Sequence, residues 1–112
     1  MADIIKTWTI RPHIKGDTFN SRKITFPFDI TDCRIDMQFR KQANDKIEFA
    51  WSTEDDTFEK ISSTEVIMKS VKLNNNASFY YSDLQIIFLN ETVYTYFKAQ
   101  IHILQDITEI TL

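Results

Sequence analysis

The sequence predicts an all-β fold: a two-layer antiparallel β-sandwich of seven to eight strands. Three observations predict it. Cys33 to Arg40 alternates without a break, with Cys33, Ile35, Met37 and Phe39 on one side and Arg34, Asp36, Gln38 and Arg40 on the other. That period of two marks a strand with one dry face and one wet face. The alternation recurs down most of the chain, so several dry faces must meet, and turn residues interrupt it about every 8 to 12 positions, the spacing of a sandwich.

The elements follow in order. Asp3 to Arg11 reads as a first strand with Ile4, Trp8 and Ile10 on one face, and Pro12 confines it to an edge or an end because proline offers no amide to a ladder. Gly16, the only glycine, sits in the next break and suggests a backbone angle that other residues dislike. Thr18 to Phe28 gives a second strand, with Ile24, Phe26 and Phe28 in alternation and Pro27 ending or bending it. Asp29 to Asp32 is a turn of Asx type. Cys33 to Lys41 is the third strand. Lys46 to Ser52 returns as the fourth after an Asn44-Asp45 turn, with Ile47, Phe49 and Trp51 inward.

Thr53 to Asp56 is an acidic turn, and Phe58 to Ser62 a short strand. Thr64 to Lys72 fits a strand or a helical turn; its β-branched content favours strand. Asn74-Asn75-Asn76 is a loop of residues that tolerate left-handed angles. Phe79 to Leu89 and Thr92 to Gln105 make a last hairpin around Asn90-Glu91. On its second strand Val93, Thr95, Phe97, Ala99, Ile101 and Ile103 share one face, and Tyr94, Tyr96, Lys98, Gln100 and His102 the other. An immunoglobulin-like sandwich is the expected member of the class.

The chain has 112 residues, 43% hydrophobic and 26% charged, which suits one domain, 1–112, with a core of its own. Such a domain buries roughly 65% of the surface its unfolded chain exposes. Net charge is −3, from 13 basic and 16 acidic residues well mixed. No basic stripe is present to neutralise phosphates, so nucleic-acid binding is not expected. Cys33 is the only cysteine, and on the dry face it reads as a small hydrophobe. No stretch of 18 apolar residues spans a membrane and the N-terminus lacks a secretory pattern, so the product is expected to be made in a cytoplasm.

Candidate chemistry is thin. Cys33 points inward and His102 lies on the more polar face, so no nucleophile–base pair is expected. His13 and Asp17 are four apart across a loop, and Glu54, Asp55 and Asp56 lack the alternating ligands of a calcium loop. Asp36 and Glu48 share the wet side of the first hairpin, where a catalytic cleft is not expected. No catalytic residue, metal or cofactor is expected. The aromatic stripe is the open question: Tyr94 and Tyr96, with Tyr80, read as sharing the outer face of the last hairpin. Such rings pack within the sheet, meet a protein partner or stack on sugars.

Several segments taken together carry a resemblance. They are Gly16-Asp17-Thr18-Phe19, Ile30 to Arg40, Trp51 to Asp56, Tyr80 to Gln85, Val93 to Phe97 and Ile103 to Thr108. In this order and spacing, over about residues 8–108, the chain resembles small bacteriophage and prophage proteins similar to the N-terminal domain of the phage baseplate upper protein. That family has a Gly-Asp-Thr opening, a Tyr-Asp-Leu-Gln strand and a terminal Asp-Val-Thr. This chain departs from it in two turns, Asp32-Cys33 and Asn90-Glu91, and in an extra Ser82.

The resemblance implies a β-sandwich with a structural role in the virion, anchored to other tail or baseplate proteins. With the sequence stopping at Leu112, the expectation is a non-enzymatic adaptor or decoration subunit, oligomeric, without a receptor-binding head. Its interface residues are expected among Trp8, Tyr80, Tyr94 and Tyr96. The alternative reading is a glycan-binding module that uses the exposed tyrosines.

Overall fold

A computed structural model describes residues 6–106. These residues form an all-β fold of eleven strands with no helix: β1 (Lys6–Thr9), β2 (His13–Ile14), β3 (Thr18–Phe19), β4 (Arg22–Thr25), β5 (Arg34–Phe39), β6 (Phe49–Ser52), β7 (Phe58–Lys60), β8 (Glu65–Met68), β9 (Val71–Lys72), β10 (Ser78–Ile87) and β11 (Val93–Leu104). One sheet runs β1-β11-β10-β5-β6, with β2 also on β11; a second runs β4-β8-β7, and β3 pairs with β9.

The two larger sheets face each other across one core. Ile35, Met37, Leu84, Ile86 and Ile101 of the first sheet and Phe58, Val66 and Met68 of the second are buried in one cluster. The alternation of β5 is carried into space: Ile35, Met37 and Phe39 are fully buried, while Arg34 donates to Asp36 at 2.7 Å and Arg40 to Gln38 at 2.9 Å on the wet side. Trp51 ties the layers, because its indole N–H donates to the Lys69 carbonyl at 2.9 Å. A buried Trp N–H needs such a partner.

The strand count exceeds the expected one for physical reasons. Thr18–Phe28 divides into β3 and β4, which pair with different neighbours, β9 and β8. Thr64–Lys72 is strand, as preferred, but it breaks at Lys69-Ser70 into β8 and β9. Past Pro12 the chain resumes as β2, a short strand beside Ile103 and Leu104. β1 and β2 run parallel to β11, so the fold is not antiparallel throughout. Ile47 was expected inward but is 47% exposed, because β6 begins only at Phe49. Ile4 of the expected first strand, and Ile107-Thr108 of the resemblance, lie outside the described residues.

Gly16 has φ 92°, the left-handed angle that its lone occurrence suggested. Its N–H donates to the Leu73 carbonyl at 2.7 Å, which fastens the β2–β3 turn to β9. Asn44, Asp56 and Glu91 take the other positive-φ turn positions among the described residues.

Candidate functional site

The most unusual surface lies at the tip of the β10–β11 hairpin. Leu84 pairs with Phe97 and Gln85 with Thr95, so Tyr96 is an extra residue opposite that step. A bulge of this kind turns the following side chains to the other face. Beyond it Tyr94 pairs with Ile86, which is fully buried, so Tyr94 lies on the inner side of the sheet.

Phe26 and Phe28 approach the same place from the segment after β4. That segment is held by Phe26 N–H to Thr64 O at 2.8 Å and Ile30 N–H to Ser63 O at 2.7 Å. The rings then interlock: Tyr96 lies 5.1 Å from Phe26 and 5.9 Å from Phe28 between centroids, and Phe28 lies 6.3 Å from Tyr94 and 6.1 Å from Phe88. These are the distances of mutually attractive aromatic pairs. Leu89, at 81% exposed, Val93, at 56%, and Tyr94, at 41%, leave apolar surface in water at this pole. An open hollow of about 490 Å³ adjoins it, lined by Phe88 and Leu89 and by the Asp29–Cys33 turn. In that turn Asp29 accepts from Thr31 Oγ1 at 2.5 Å and from Thr31 N–H at 2.9 Å. The hydroxyl first, then the amide, holds its carboxyl below the usual aspartate value.

The four expected interface residues do not form one surface. Tyr80 is a correction: it is fully buried, paired with Ile101, and its hydroxyl donates to the Asn76 carbonyl at 2.6 Å. Burial first, with Glu48 behind it, pushes its phenol up. Tyr94 and Tyr96 are also not on the outer face; the bulge turns them inward, Tyr94 at the rim and Tyr96 half-buried against the core. The same shift exposes Val93, expected on the dry face. Trp8 is half-buried and meets Phe97 edge-on at 6.1 Å. The reading missed Phe28, Phe88 and Leu89 as surface formers. On the outer face of β10 it also missed Phe79, at 48% exposed, and Tyr81, at 47%.

The chemical candidates remain apart. Cys33 is buried, and burial pushes its thiol up, away from the reactive thiolate. His102 stacks on Phe79 at 3.9 Å on the outer face. His13 Nε2–H donates to the Asp17 backbone carbonyl at 2.9 Å, not to its carboxylate. Asp55 is occupied by Thr57, and Glu54 pairs with Arg34 at 3.4 Å. Asp36 lies opposite Ser52, whereas Glu48 comes before β6, four residues from Ser52. Among the described residues no three of His, Cys, Asp and Glu gather around a point.

Comparison with known proteins gave no match to any family model, to any curated protein or to any solved structure.

Proposed function

We propose that this chain is a virion structural protein, a tail- or baseplate-associated adaptor or decoration subunit. It works by packing against other phage structural proteins and against copies of itself. The observation that carries the packing reading is the hairpin tip, where Leu89, Val93 and Tyr94 stand exposed and Tyr94 rests against the rings of Phe28 and Tyr96. Exposed apolar side chains on a rigid support are what protein interfaces use. The virion assignment is supported by the resemblance over about residues 8–108.

Strand order supports an immunoglobulin-like reading. In chain order β4, β7 and β8 lie side by side as β4-β8-β7, and β5, β10 and β11 as β11-β10-β5, with β6 added beyond β5. An immunoglobulin sandwich places its B, E, D and G, F, C strands in this way. The free side of β6 argues against strand addition as the mode of contact. Ser52 N–H already donates to Thr57 Oγ1 at 2.7 Å, and the Glu48 carbonyl accepts from Asn75 Nδ2 at 3.2 Å. Such side-chain bonds blunt an edge.

Two measurements test the proposal together. Mass spectrometry of purified particles should find the chain, and sedimentation should give an oligomer that Leu89→Asp with Tyr94→Ser converts to a folded monomer. Absence from the particles overturns the virion assignment. A monomeric wild-type chain that no particle protein retains overturns the packing mode.

A further inference from the structure

We propose that the outer face of the large sheet carries a carbohydrate-binding groove centred on Tyr81, at a site separate from the apolar pole. The groove has a volume of about 500 Å³, within the range of small-molecule sites. Three alternate residues of β10, Tyr81, Asp83 and Gln85, project to this side. Each heads a row across the sheet. Tyr81 lies between Gln100 and Arg40, Asp83 lies beside Lys98, and Gln85 lies beside Asp36. Backbone bonds in both directions between Arg40 and Tyr81, at 2.9 and 2.7 Å, fix the central row.

Arg40 and Gln38 are bonded to each other at one side of this groove, and its other polar groups are not spent on one another. Among the described residues the side chains of Tyr81, Asp83, Gln85, Lys98 and Gln100 have no hydrogen-bond or ion-pair partner, although Asp83 and Lys98 sit in direct register. Asp83, Gln85 and Gln100 are half-buried, so their hydrogen-bonding capacity is directed into the groove. Gln42 and Asn44 add further amides at the rim.

The neutral polar groups decide the ligand class. The charged lining is only Arg40, Lys98 and Asp83, and Asp36 of the adjoining small hollow is already paired with Arg34, so amides and a phenol ring outnumber the charges. Amides that both donate and accept and a carboxylate that accepts, beside an exposed aromatic ring, match a neutral polyhydroxylated ring. That is a hexopyranose within an oligosaccharide. The site does not depend on the virion reading, and it places the aromatic platform on Tyr81 rather than on Tyr80, Tyr94 or Tyr96.

Heteronuclear NMR of the full chain tests it, with chitotriose, cellotriose, maltotriose and mannotriose as probes. At least one of them should shift the side-chain amide signals of Gln85 and Gln100 in a saturable manner. Tyr81→Ala and Gln85→Ala, both at positions outside the core, should each raise the dissociation constant about tenfold or more while leaving the rest of the spectrum in place. No saturable shift with any of the four, shifts centred on the hairpin tip, or shifts that survive both substitutions would overturn the assignment.

Discussion

Tyr94 lies opposite Ile86 across the last hairpin, on the buried side of the sheet, although its place in the sequence puts it on the wet side. The single extra residue, Tyr96, accounts for the reversal. It also sets unequal roles for the two tyrosines. Tyr96 is wedged among Phe26, Phe28 and Phe97, whereas Tyr94 is 41% exposed. Tyr96→Ala should therefore destabilise the domain by about 2–4 kcal/mol and Tyr94→Ala by about 1 kcal/mol or less, read from urea unfolding. A larger loss at Tyr94 would mean that the bulge is misplaced.

Tyr80 joins a buried ring to a satisfied hydroxyl, so its two halves are separable. Tyr80→Phe removes only the bond to the Asn76 carbonyl and should cost about 0.5–1.5 kcal/mol. Tyr80→Ala empties a fully buried site beside Phe49 and should cost about 3–5 kcal/mol. Denaturant midpoints for the pair measure this. A Tyr80→Ala protein as stable as the wild type would place this ring at the surface after all.

These cases mark what sequence could and could not disclose. Cys33–Arg40 was legible because one wet face and one dry face impose an unbroken period of two. The burial of Tyr80 was legible too, since it shares parity with Leu84 and Ile86. The inward turn of Tyr94 was not legible. A bulge is a property of two strands in register, and nothing in Thr95-Tyr96-Phe97 alone announces an extra residue. The groove around Tyr81 escaped for a similar reason: its rows join β11, β10 and β5, which are adjacent only in space.

The turns hold a stability reserve of opposite signs. Gly16 at φ 92° has room for a methyl group, with Asn74 Oδ1 3.5 Å from where a Cβ would sit. Strain at a left-handed angle alone then sets the cost of Gly16→Ala, about 1 kcal/mol. Glu91 carries the reverse burden at φ 69°. Glu91→Gly relieves about 1–2 kcal/mol of strain and gives back part of it in unfolded-chain entropy, for a net gain of about 0.5–1 kcal/mol. Thermal unfolding of both variants should move the melting point in opposite directions. A Glu91→Gly protein that melts lower than the wild type would contradict the left-handed assignment.

Acid should weaken the domain modestly through carboxylates that the fold keeps ionised. The Thr31 hydroxyl lowers Asp29, the Thr57 hydroxyl lowers Asp55, and Lys23, followed by Ser62, lowers Glu65. In each case the folded value lies below the unfolded one, about 3.9 for Asp and 4.3 for Glu. The stabilisation is therefore complete well above pH 4 and is lost as pH falls through the folded values, because the neutral acid accepts the bond more weakly than the carboxylate. Thr31→Val isolates one such term, since that hydroxyl bonds to Asp29. The variant should unfold at lower urea than the wild type near pH 7, and the gap should narrow as pH falls through the folded value of Asp29. A gap that stayed constant from neutral pH into acid would show that the hydroxyl acts through packing and not through the charge on Asp29.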